Sequence, residues 1–279
     1  MDNRDITKRF DLLKSERSIV QHKWDEIERY VTPYRGRFFK EQPSEGAIEW
    51  NRNGYDFDST APMYHQSLAS SLHDSLTSPA TQWFAMRFRD EVLNKHKAAA
   101  TWLQHASERV HYELQDSNFN LEINETYQDL VGFGTGCITL EEAPGGAGWH
   151  GLNFASVPLK EVFFEVDWRG NVLRFYREIQ WTPQQIISKF GDDVPQKIKD
   201  LEEGGQVEKQ TVLFVIAPRN GRIVPVGGKL SPSKRPWEWK FILKDSNDTL
   251  GKPGGDYEMS AFVPRWRTTS ESMGATPRR

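Results

Sequence analysis

The hydrophobic period of this chain changes once, near Cys137, and that switch confines it to a fold with helices first and strands second. Before the switch, apolar residues recur at three- and four-residue intervals, the spacing of a helix face. Phe10, Leu13, Val20, Trp24, Ile27 and Val31 follow this spacing, with Arg17 in the position that the pattern skips. They predict an amphipathic helix of about seven turns, ended by Pro33. "YRGRFF" (34–39) then reads as a glycine-centred turn, with Arg35 and Arg37 among three aromatics. The polar stretch that follows, up to Ser59, reads as a long loop. Asp58 or Ser59 is placed to cap a second helix with Pro62 in its first turn. Leu68, Leu72 and Leu76 repeat along it, and Ala69, Ser70 and Ser71 allow another element to pack closely. Ser78 precedes a proline and ends it. A third helix is expected over Val92–Leu114, favoured by Ala98–Ala100. A fourth runs through Leu121, Ile123, Tyr127 and Leu130 into "GFGTG".

After the switch, the pattern is that of strands. "CITLEE" reads as one, and "EVFFEVDWRGNVLRFYREIQW" alternates on both sides of Asp167-Trp168-Arg169-Gly170, which predicts a β-hairpin. Thr182 caps a short helix, "PQQIISKFG", closed by Gly191. "TVLFVIAPR", "EWKFILK" and "SAFVPRW" are further strands. The expected fold class is α+β, with a helical part at 1–135 and a β-rich part at 136–268 of the same body, followed by a divergent tail at 269–279.

Composition narrows the function classes. A formal net charge of −3 excludes a basic nucleic-acid binder of the whole-chain kind. A lone cysteine, Cys137, excludes an internal disulfide framework and suits a reducing compartment. No run approaches the roughly 18 apolar residues of a membrane span, and the charged start lacks a signal peptide's apolar core, so a soluble intracellular product is expected. The motifs of enzymes are missing or misplaced. "PVGGKLSPSK" has Ile223 where a P-loop needs its first glycine, and Leu230 where it needs a hydroxyl. "GFGTGC" follows a helix and precedes a strand, the reverse of a dinucleotide site. Seven histidines show no metal-ligand spacing, and no GxSxG elbow is present. Asp56 and Asp58 could face a cation together, but helix capping is the simpler role for Asp58. No catalytic residue, cofactor or metal site is predicted.

What the sequence does offer is arginine and large aromatics in clusters: Arg35 and Arg37, the pair Trp83-Phe84 just past "LTSPATQ", and Arg265-Trp266-Arg267. Arginine and tryptophan recur at binding hot spots, and they equally form internal stacks. These seven residues are the candidate interface or core anchors.

Taken in order, the segments resemble the head-to-tail connector, or portal, proteins of short-tailed bacteriophages. The resemblance is carried by "RFDLLKSERSIVQHKWDEIERYVTPYRGRF", "DSTA", "SLASSLHDSLTSPATQWFAMRF", "SNF", "LVGFGTGCITLEE", "FEVDWRGNVLRFYREIQWTPQQIISKFG" and "VPRW", between Arg9 and Arg267. It implies a non-enzymatic subunit of a ring, a dodecamer in the full-length family, at one capsid vertex. DNA passes non-specifically through such a ring during packaging and ejection. The implied partners are further copies of the chain, the packaging terminase, and capsid, scaffold and tail adaptor proteins, with no membrane. The implied location is the virion, after assembly in the host cytoplasm. Trp83 and Phe84 are then expected to pack the helical–β junction or a neighbouring subunit. Another adaptor of the head–tail junction and an uncharacterised hydrolase are the alternatives.

The resemblance departs at the end. Family members are about twice as long, and a Gly-Glu…Tyr-Gly-Arg segment leading to a stem helix is expected where "TTSESMGATPRR" stands. Residues 271–277 can be written in the codons GAG TCT ATG GGC GCC ACC CCG, one choice among the synonymous ones, which shifted by two read Val-Tyr-Gly-Arg-His-Pro. A frameshift or a split gene is therefore expected, leaving the wing-like body without stem, clip or crown.

Overall fold

The computed structural model of this chain describes residues 2–32, 58–143, 149–219 and 230–267. The N-terminal stripe winds into a single helix, α1 (Asn3–Tyr30). Four more helices follow, α2 (Thr60–Leu76), α3 (Glu91–Lys95), α4 (Lys97–Asp116) and α5 (Phe119–Phe133). The chain then enters two antiparallel sheets, so the architecture is α+β as the period switch requires. The smaller sheet has the order β2-β1-β8, from β1 (Ile138–Glu142), β2 (Leu152–Ser156) and β8 (Ala261–Phe262). The larger is a five-stranded meander of β3 (Val162–Val166), β4 (Val172–Trp181), β5 (Gln210–Pro218), β6 (Trp237–Leu243) and β7 (Thr249–Asp256). Two short helices, α6 (Pro183–Phe190) and α7 (Gln196–Glu203), connect β4 to β5.

Both faces of the five-stranded sheet are covered, which explains why β5 reads as a continuous apolar run. Val212 to Ala217 are all buried. Leu213, Val215 and Ala217 face Ile6 and Phe10 of α1. Val212, Phe214 and Ile216 face the opposite way, into a cluster shared with Ile186 of α6 and Ile198 of α7. Helix α1 serves both faces. Its first half lies on the Phe163–Tyr176 side, with the Phe10 and Phe163 rings edge-on at 4.8 Å. Farther on, Trp24 joins Phe133 and Cys137 in the cluster on the other side. Between them Arg17, in the skipped apolar position, is buried where the helix crosses the sheet's edge. Its guanidinium donates to the carbonyls of Leu159 and Val162, both at 3.2 Å, and lies 3.7 Å over the Phe163 ring. An edge strand presents unpaired carbonyls, so the residue required there is a donor. Burial lowers the Arg17 pKa to about 10.

The hairpin turn forms where the alternation breaks. The Asp167 carboxylate accepts from the backbone amides of Arg169 and Asn171, each at 2.8 Å. Thr182 and Gln185 form a reciprocal cap on α6. At α2, Asp58 accepts from the Thr60 amide at 2.9 Å, which supports its capping role, whereas Asp56 lies outside the described residues.

Several expectations need correction. The second helix ends at Leu76, two residues before Ser78, with Thr77 as its cap. The close packing expected at its small residues is made by Ala69, fully buried against α5, and Leu68 and Leu76 point outward. The third helix is broken at His96, whose extended backbone separates α3 from α4. Strands β2 and β7 and helix α7 were not expected from the pattern. Strand β7, "TLGKPGGD", hides behind its composition. At Gly254 a Cβ would lie 2.1 Å from the Trp239 ring, so the indole replaces the missing side chain. The "PVGGK" stretch up to Lys229 and the 269–279 tail lie outside the described residues.

Candidate assembly surface

Residues 77–90, between α2 and α3, form neither helix nor strand, yet side chains fasten them along α4. The Phe84 ring meets His111 at 6.3 Å. Two residues on, the Met86 amide donates to Ser107 Oγ at 2.8 Å, an oxygen oriented by its own bond to the Leu103 carbonyl. Two further, the Phe88 ring stacks on Trp102 at 6.1 Å and 12°. The partners descend α4 as the segment rises. Nine helical residues span about 13.5 Å and four extended ones about 13 Å. Residues 81–89 therefore form an extended strap antiparallel to α4. Asn94 pins its end as a strand neighbour would, accepting from the Phe88 amide at 2.8 Å and donating to its carbonyl at 2.9 Å.

Trp83 stands at the other end of the strap. Its ring meets Phe84 at 4.9 Å and stacks on Phe119 at 6.2 Å, and Phe119 packs against Phe154 of β2 at 5.1 Å. The indole thus covers the joint between the helices and the smaller sheet, and it remains 41% exposed. The joint is closed by hydrogen bonds of the same kind as those of Asn94. Asn118 donates to the Phe154 carbonyl at 2.7 Å and accepts from its amide at 2.8 Å.

Arg265 is half-buried. Its guanidinium donates to the Gly170 carbonyl in the β3–β4 turn and lies 5.7 Å from the Phe164 ring. Burial lowers its pKa. The chain on either side is tied to the end of α5: the Trp266 amide donates to the Gly134 carbonyl at 2.9 Å, and the Gly136 amide to the Pro264 carbonyl at 3.0 Å. Gly134 makes this approach with a left-handed φ of 75°, open to glycine at little cost. Trp266 and Arg267 are exposed.

The structure does not gather the sequence candidates into one site. Trp83 contacts the first residue of α5, and Trp266 pairs with the residue after its last. A helix of 15 residues puts these about 22 Å apart. Arg35 and Arg37 lie outside the described residues. Residues that the sequence reading passed over dominate the surface instead. Among the described residues twenty large hydrophobics are exposed, and thirteen of them fall between Met63 and Trp149. The apolar surface therefore belongs to the helical half. Phe84, Met86 and Phe88 alternate at a period of two, the signal that could have revealed the strap. The chemistry on offer is stacking and backbone pairing. Among the described residues no group of three His, Cys, Asp or Glu could hold a metal ion. The Cys137 thiol is fully buried, and that burial pushes its pKa up.

Known proteins resemble the chain along nearly its whole length. The probable portal protein of Bordetella phage BPP-1 is 28% identical over 271 residues, covering 94% of this chain. The chain spans about half that protein's length, 46% of it. The sequence profile of the bacteriophage head to tail connecting proteins matches residues 3–277. With nearly its whole length matched, the chain belongs to the bacteriophage head to tail connecting protein family.

Proposed function

We propose that this chain is the outer, wing-like part of a portal subunit, with the helical residues 1–135 and the β-rich 136–268 forming one body. Copies assemble into a ring at a capsid vertex, through which double-stranded DNA passes during packaging and ejection. The role is structural and not enzymatic. The ring docks the packaging terminase on one side and later the tail adaptor, with capsid and scaffold proteins around it. It is built in the host cytoplasm and retained in the virion. No helix among the described residues is long and apolar enough to cross a membrane.

The observation that carries this reading is the family match from residue 3 to 277. The exposed apolar surface between Met63 and Trp149 supports it, because monomers seldom leave so much apolar area open. Native mass spectrometry with electron microscopy of the purified chain tests it. Closed rings whose mass is a whole multiple of 32.3 kDa are expected. A monodisperse monomer at the highest soluble concentration would end the proposal.

A further inference from the structure

The strap has one backbone edge in use and one free. In an extended chain, successive residues turn their backbone N–H and C=O groups to opposite sides. The Met86 amide and both backbone groups of Phe88 are bonded to α4 and Asn94, and the Phe84 carbonyl accepts from Gln82 Nε2. The even-numbered edge is therefore turned toward the helix. The odd-numbered edge, Trp83, Ala85 and Arg87, makes no hydrogen bond.

A second free edge stands at the far end of α5. From Ser260 to Trp266, the even-numbered residues pair with residues 134–140, through the Ser260 and Pro264 carbonyls and the Trp266 amide. The odd-numbered backbone groups face away from β1 with no hydrogen-bond partner; those of Ala261 are buried, and those of the part-exposed Val263 and Arg265 form the open stretch. The other sheet edges are plugged by side chains or loops. Arg17 occupies the Val162 carbonyl on β3, and Asn118 and Glu122 cover Phe154 and Ser156 on β2. On β7, Arg219 and Arg235 take the carbonyls of Gly254 and Gly255, and the Asp193 carbonyl takes the Gly251 amide. Proteins normally blunt such edges. Here two are left open, on opposite ends of one helix.

We infer that the strap edge of one copy pairs with the β8 edge of the next, so that subunits join head to tail through a two-chain β-ladder. The inference rests on the ring reading above and specifies its contact. A different patch on each side of the subunit is what a closing ring requires. The apolar area is sufficient. The strap, α3 and α4 expose seven large apolar side chains between Trp83 and Tyr112, about half of each on average. At about 200 Å² per side chain this is about 700 Å², close to the ~800 Å² per partner of a standard interface. Charge sets the direction. Antiparallel pairing brings the basic end of the strap, Arg87 and Arg89, to the acidic approach of β8, Asp256 and Glu258. Parallel pairing would bring it to Arg265 and Arg267.

Three exposed substitutions in the full chain test this by sedimentation, with thermal melts confirming that each variant folds. Ala85→Pro removes an amide that is unpaired within the subunit, so the fold is kept while self-association weakens about tenfold or more. Arg89→Glu and Glu258→Arg each weaken it about threefold at low salt, and the double variant restores it. Amide exchange over 81–89 and 263–265 slows together as concentration rises. If the unmodified chain forms rings but Ala85→Pro and both charge variants form them equally well, the edge pairing is wrong and the portal reading stands. If association is polydisperse and indifferent to all three, the surface serves another occupant and the inference falls. A chain that stays monomeric overturns both.

Discussion

Arg17 is a charged residue in an apolar slot, held there by two carbonyls 142 and 145 positions away. Without its guanidinium, those carbonyls lose their donor in a dry setting, and the Phe163 ring loses its cover. Arg17→Ala is expected to lower stability by about 2–4 kcal/mol, through unpaired acceptors together with lost packing. Arg17→Lys recovers only part of this, because one ammonium on a flexible stem replaces a planar fork. Urea midpoints decide: an Arg17→Ala midpoint equal to that of the parent would mean that the bonds contribute nothing. The anomaly at position 17 was legible in the sequence, since the arginine interrupts a regular stripe. Its reason was not, because the edge it serves is built from residues 159–162. The same holds for Trp83. Its place as a packing residue just past "LTSPATQ" could be read, but its stacking on Phe119 depends on where α5 lies.

At the level of elements, the sequence was clearest where one face alone decides the fold. The helices α1 and α5, the β3–β4 hairpin and the Thr182 cap all followed from local pattern. Strand β7 did not, because its three glycines and proline have the composition of a loop, and only the Trp239 indole lying on Gly254 makes it a strand. In α2 the small residues were the informative ones: the helix packs through Ala69 and leaves the repeating Leu68 and Leu76 outside. Helix α1 has the largest structural task. Deleting residues 1–31 would uncover Phe163, Tyr176, Leu213, Val215 and Ile242. At about 1.5–3 kcal/mol per side chain, the loss is on the order of 10 kcal/mol, comparable to the whole stability of a domain. The truncated chain is expected in the insoluble fraction, or bound to hydrophobic dye without near-ultraviolet dichroism. A soluble, cooperatively melting truncation would show that α1 is dispensable.

For the molecule as a whole, stability carries an alkaline limit set by two buried neutral groups. Burial raises the pKa of Cys137, and burial followed by the charge of Glu165 raises that of Tyr176. Both stay protonated in the fold, whereas the unfolded chain releases these protons near their ordinary values of 9.0 and 10.0. The folded state then holds more protons than the unfolded one, so stability falls as pH rises. It is fully present below pH 9 and declines above it. Urea midpoints from pH 7 to 11 should show this, and Tyr176→Phe should flatten the upper part of the decline. A profile level through pH 11 would refute the assignment. The docking of α1 also governs how the chain can be made. Asn3 donates to the Asn247 carbonyl at 2.8 Å and to Thr249 Oγ1 at 3.0 Å, so the first helix completes its contacts only after the sixth strand has been synthesised. At about 5–20 residues per second, translation takes about 10–50 s to cover that distance. For most of this interval, until β3 to β5 have emerged, Ile6 and Phe10 have no sheet to cover them, and the nascent chain must carry an exposed apolar helix face.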